Sequence, residues 1–133
     1  MTGESRRRTV FAQTPKDIHA AITTAFNGRD LDTYVELYEE NATMIVPPDG
    51  APASGKEAIR AAMEQVFSLD PTLRIEILEI HEANGVALAH SQWWLAGAAT
   101  GDRVEMSGRG TLVSRKQPDG SWLVVLENTM TPS

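Results

Sequence analysis

The chain reads as an α+β domain, helices first and a mainly antiparallel sheet after, on three observations. Apolar residues recur at helical spacing through most of the first 69 positions, and they alternate from residue 72 onward. The 133 residues contain no internal repeat or linker, so they make one domain, long enough to bury about 68% of its unfolded surface.

The elements follow in order. Thr14-Pro15-Lys16-Asp17 starts a helix with an N-cap, a proline in the first turn and an early acidic group. Ile18, Ala21, Ile22, Ala25 and Phe26 give it an apolar stripe, and Asn27-Gly28 stops it. Asp30 caps a second helix with Leu31, Tyr34, Val35 and Tyr38 on one face. Asn41 to Val46 is a strand closed by Pro47-Pro48, and Pro48-Asp49-Gly50 is turn chemistry. A third helix begins near Gly55, buries Ile59, Ala62, Met63, Val66 and Phe67, and ends before Asp70-Pro71. Four strands follow, beginning with "LRIEILEIHEA" and "VALAHSQWWLAG" joined at Asn84-Gly85. "RVEMSGRGTLVSR" and "SWLVVLENTM", joined at Pro118-Asp119-Gly120, complete the meander.

Composition narrows the function. Hydrophobic residues at 41% and charged residues at 23% are ordinary for a globular chain. A net charge of -6 offers no basic face to nucleic acid or to an anionic membrane. No run of about 18 apolar residues suggests a membrane span. The one basic cluster, Arg6-Arg7-Arg8, lies in a polar leader with no signal-peptide core, so residues 1–13 read as a frayed tail before a domain at 14–133. Zero cysteines remove disulfides, thiol nucleophiles and sulfur ligands, and fit a reducing cytoplasm. With no histidine pair at metal spacing, no phosphate-cradling glycine loop and no nucleophile elbow, no metal or cofactor is expected. Asp30, Asp32, Glu36, Glu39 and Glu40 read as a solvated face.

The element order, with Asn27-Gly28-Arg29-Asp30-Leu31-Asp32, Asn41-Ala42-Thr43, Gly55-Lys56-Glu57-Ala58-Ile59-Arg60, Gly108-Arg109-Gly110-Thr111 and Pro118-Asp119-Gly120-Ser121-Trp122, resembles the superfamily of nuclear transport factor two, ketosteroid isomerase and SnoaL polyketide cyclases. The match spans roughly residues 14 to 130. Its texture is that of small stand-alone members associated with polyketide and enediyne biosynthesis. The resemblance implies a cone-shaped roll in which a curved sheet wraps three helices around a pocket, and a homodimer paired through the sheet. It also locates the isomerase groups. The general base falls at Val46, the helix-one oxyanion donor at Ile22 and the third group near Leu112 or Thr111, so that catalytic set is missing.

What remains on the strands sets the alternatives. His90 shares a strand face with Val86, Leu88, Gln92 and Trp94, and is either a hydrogen-bonded structural residue or a ligand contact. Arg109, between Gly108 and Gly110, either pairs with Glu127 or offers its fork to a ligand oxygen. Trp93 and Trp94 point to opposite faces, one of them toward the pocket, while Trp122 plugs the sheet end. Asn128 or Thr129 faces inward, whereas His19 and His81 read as surface residues. The expected ligand wall is therefore Ile22, Val46, Met63, His90, Trp94, Arg109, Thr111 and Asn128. The expected function is binding of a hydrophobic, polyketide-like molecule in biosynthesis. The alternatives are a cyclase, isomerase or hydratase using His90, Arg109 and Glu127, and a non-catalytic dimeric interaction module.

Overall fold

A computed structural model describes residues 12–99 and 102–132, and the arginine cluster lies outside them. Helix α1 spans Pro15–Asn27, and the Thr14 side chain accepts from the Asp17 amide at 3.3 Å as its N-cap. The chain leaves α1 through Arg29, a non-glycine residue at φ 57°. What holds it there is a latch: Arg29 donates to Asp70 at 2.6 Å and to the Pro71 carbonyl at 2.6 Å. Beside the latch the Asn27 amide makes the two bonds of a strand neighbour, donating to the Leu73 carbonyl at 3.0 Å and accepting from its amide at 2.8 Å. The helix end is thus sewn to the start of the meander.

Helix α2 is shorter than its apolar pattern suggests, Leu31–Glu36, capped by Asp30 through the Thr33 amide and hydroxyl. Tyr38 does not continue it. The Leu37 carbonyl accepts from Val124 at 2.8 Å, and Tyr38 becomes the first residue of β1, Tyr38–Val46. After the cis Pro47-Pro48 turn the chain makes a short strand, β2, Ala51–Ser54, which sequence pattern gives to the helix entry. Helix α3 covers Lys56–Ser68 after Gly55 at φ 90°. The meander is β3 Pro71–Ala83, β4 Val86–Ala99, β5 Asp102–Lys116 and β6 Trp122–Thr131. Asn84 and Gly85, at φ 54° and 78°, form the tight turn between β3 and β4.

The six strands are ordered β2-β1-β6-β5-β4-β3, antiparallel except that β1 and β6 run parallel. All three helices lie on one face of this mixed sheet. There Ile18, Ile22, Phe26, Ile59 and Met63 meet Met44, Trp93, Leu112 and Val124 in one core. Ala12 corrects the boundary of the supposed tail: it is buried and bridges Trp122, which accordingly seals this end of the sheet. No helix among the described residues is long and apolar enough to cross a membrane.

Candidate functional site

Period-two alternation decides what each strand offers to the helices. On β4 the inward set is Ala87, Ala89, Ser91, Trp93 and Leu95, all buried. Their partners on β5 are Ser114, Leu112, Gly110, Gly108 and Met106. The glycines make room rather than bend the strand. A Cβ on Gly108 would stand 2.8 Å from the Trp93 ring, and one on Gly110 would stand 3.0 Å from the Ser91 hydroxyl. Trp93 lies flat in that space and donates to the Thr129 carbonyl at 3.0 Å, while Thr129 donates to the Ile45 carbonyl at 2.6 Å.

Of these inward residues Ser91, Trp93, Leu95, Gly110 and Leu112 border a cavity of about 60 Å³ with α1, α2 and α3. Its wall is mostly apolar: Ile22, Phe26, Met44, Met63, Val66, Leu73, Trp93 and Leu112. A wider groove of about 670 Å³ meets it at Pro47, Val66 and Leu95, bounded by Val46, the β1–β2 turn and the end of α3. The two spaces adjoin at these three residues.

Three titratable side chains, His19, Tyr34 and Glu127, line this cavity. His19 on α1 is 5% exposed, and neither ring nitrogen finds a hydrogen-bond partner among the described residues. Burial pushes its pKa down to about 4, because the charged ring loses its water. Across from it, Glu127 of β6 keeps its carboxyl in the interior, and desolvation raises its pKa to about 6 against the opposing hydrogen bond from Tyr38. Tyr38 donates to Glu127 at 2.5 Å, and the Tyr34 hydroxyl lies 3.1 Å from that of Tyr38. Both phenols titrate well above their ordinary range, since burial and the Glu127 charge oppose a phenolate. Tyr34 and Glu127 line the cavity, with Tyr38 between them.

Of the residues expected from sequence, Ile22, Met63 and Glu127 line this cavity, Thr111 borders it although its hydroxyl lies 3.5 Å from His90 Nδ1 on the far face of the sheet, and Val46 lines the groove. His90, Trp94, Arg109 and Asn128 do not line either space. The reason is register. His90 opposes Thr111 and Glu79, Trp94 opposes Arg74, and Arg109 opposes Gln92, all on the sheet face turned away from the helices. Arg74 sits 3.9 Å over the Trp94 ring, and Asn128 accepts from its own neighbour, the Met130 amide, at 2.9 Å. Arg109 and Glu127 form no cross-strand pair either, because Glu127 opposes Leu112 and points inward. Of the two candidates at the end of β6, Thr129 is the inward one.

The sequence reading missed His19, placing it at the surface. The signal was present: His19, Ile22 and Phe26 fall at i, i+3, i+7, and all three are buried. Tyr34 and Tyr38 were correctly neighbours, their rings 5.5 Å apart, although one sits on a helix and the other on a strand. Among the described residues no cluster of three histidines or acids suits a metal.

The comparisons agree with this architecture. A ketosteroid isomerase-like protein from Erwinia carotovora is 22% identical with a TM-score of 0.73, over 88% of this chain and 94% of that one. An NTF-2 like protein of unknown function from Shewanella oneidensis is 23% identical with a TM-score of 0.72, over 89% and 100%. A Thiobacillus denitrificans protein, provisionally described as a calcium/calmodulin-dependent protein kinase type II association domain, is 24% identical with a TM-score of 0.75, over 95% and 100%. At these identities the likeness is one of fold. No curated protein is a significant match by sequence. The SnoaL-like domain profile matches residues 18–125, and with most of its length so covered the chain belongs to the SnoaL-like domain family.

Proposed function

We propose that the chain binds one neutral, largely apolar small molecule whose body lies in the groove of about 670 Å³ at Pro47, Val66 and Leu95 and whose polar end reaches the smaller cavity between α1 and the sheet. The observation that carries this reading is His19. Two polar atoms buried without a partner among the described residues oppose folding by about 1–3 kcal/mol, a burden that a ligand hydroxyl or carbonyl relieves. The apolar wall supplies affinity, and the few polar groups fix orientation. Among the described residues no lysine or arginine lines the cavity, while Glu127 brings negative charge above pH 6, so an anionic ligand is disfavoured.

The setting proposed is cytoplasmic secondary-metabolite biosynthesis, with the protein as an accessory that holds a polyketide-like compound. This part rests on the polyketide cyclases of its family and on a cysteine-free sequence. A homodimer is proposed through the outer sheet face, where Leu88 and Leu126 are 36% and 46% exposed. A second reading, chemistry on the bound molecule, is favoured by the two titratable groups, His19 and Glu127, facing one apolar space. It replaces the His90–Arg109 arrangement, which stands on the opposite face.

Native mass spectrometry of the protein taken from a cell that makes secondary metabolites tests both proposals in one spectrum. A dimer mass carrying an apolar adduct released on unfolding is expected. A bare monomer, with no adduct after incubation with neutral aromatic compounds, would contradict them.

A further inference from the structure

The outer face of the sheet, which holds His90, Trp94 and Arg109, carries a charge pattern that the cavity does not use. Across its middle, Glu76 of β3, Gln92 of β4 and Arg109 of β5 stand in one row. Strands lie about 4.8 Å apart, so Glu76 and Arg109 flank the central strand at equal distances, with Gln92 between them. Neighbouring charges are engaged within the chain. Arg74 sits 3.9 Å over the Trp94 ring, Glu79 is 3.1 Å from His81, and Arg115 donates to Glu39 at 2.9 Å. Glu76 and Arg109 are both exposed and have no ion pair among the described residues. Toward one end of the same face, Val86 and Leu88 of β4 and Leu126 of β6 expose apolar surface.

One unpaired anion and one unpaired cation, placed symmetrically about a central strand, make a surface complementary to its own copy. In an isologous pair, residue i of each protomer meets residue j of the other, so a single complementary pair is made twice. We propose that two copies of the chain pack these faces together about a two-fold axis running along β4, so that Glu76 of each protomer pairs with the partner's Arg109. The inference rests on the homodimer reading above and specifies its register.

That axis keeps every row at its own level. Leu88, His90, Gln92 and Trp94 on β4 then meet their own copies, and the exposed leucines are covered. Faces of packed sheets stand about 10 Å apart, a gap that a glutamate and an arginine reach across together. An axis running across the strands through the same row would instead set Glu76 on Glu76 and Arg109 on Arg109, like charge on like. Charge therefore selects one of the two aligned packings.

Charge reversal tests the pairing at exposed positions where the fold is not at stake. Glu76→Arg alone brings two arginines together across the axis, and Arg109→Glu alone brings two glutamates together. Sedimentation velocity at low salt should show each variant dimerising at least about tenfold more weakly than the parent. Mixed in equal amounts, the two variants restore both pairs with opposite signs, and native mass spectrometry should show the heterodimer as the dominant dimer. Variants that dimerise as well as the parent, or a loss that mixing does not restore, would overturn the pairing while a dimeric parent leaves the homodimer reading standing. A parent that is monomeric at every concentration tested would overturn both.

Discussion

Replacing His19 by leucine should make the protein more stable at pH 7, by about 1–3 kcal/mol, while weakening ligand binding at least tenfold. The gain is the removal of two unsatisfied buried nitrogens in favour of a side chain that suits the apolar wall. The pH dependence carries a sign. His19 titrates near 4 when folded and near 6.5 when unfolded, so between those values the unfolded chain holds a proton that the folded chain refuses. Its neutral burial therefore contributes stability fully present above pH 6.5, and about 3 kcal/mol of it is lost as pH falls to 4. The leucine variant should not show that loss. Urea unfolding at pH 7 and pH 4.5 measures both effects. A variant less stable than the parent at pH 7 would mean that His19 has a structural partner, and the site reading would lose its support.

Glu127→Gln should act with the opposite slope. The carboxyl titrates near 6 when folded and near 4.5 when unfolded, so the folded chain holds the extra proton between those values. The associated stability is fully present below pH 4.5 and falls by about 2 kcal/mol as pH rises through 6. Glutamine removes that term, and the variant should match the parent at pH 4.5 but exceed it by up to about 2 kcal/mol at pH 7. In the parent the two slopes nearly cancel between pH 4.5 and 6. Each single variant should unmask the other group: stability rising with pH in Glu127→Gln, and falling with pH in His19→Leu. Parallel curves for the two variants would contradict the buried placement of at least one group.

Much of the fold was legible because the signals are local. Thr14 and Asp30 cap the helices they precede, and Asp70-Pro71 and Asn84-Gly85 stand at chain reversals. The parallel pairing of β1 with β6 was hidden, because Thr43 and Leu126 meet across more than 80 residues of sequence and nothing near either one announces the other. Ala51-Pro52-Ala53-Ser54 has no strand texture, and only pairing with Thr43 to Val46 makes it one.

The site was half legible for a related reason. On β4 both faces carry a tryptophan, and the face with His90 looks richer in chemistry than Ala87, Ala89 and Ser91. Small side chains are nonetheless what a strand needs where helices and a flat Trp93 ring pack against it. Helix α1 misled differently, since counting its stripe from Ile18 and Ala21 placed His19 at the margin, whereas the residues of this helix that line the cavity are His19, Ile22 and Phe26.

The central claim, that a ligand is held at His19, can be read from the three histidines of the chain. One faces the cavity, His81 is exposed beside Glu79, and His90 is on the outer sheet face. In ¹⁵N-labelled protein saturated with 1-naphthol at pH 7, the ring nitrogens of His19 should shift toward hydrogen-bonded values while those of His81 and His90 stay in place. A shift at His90 with His19 unmoved would put the ligand on the wrong side of the sheet and contradict the account.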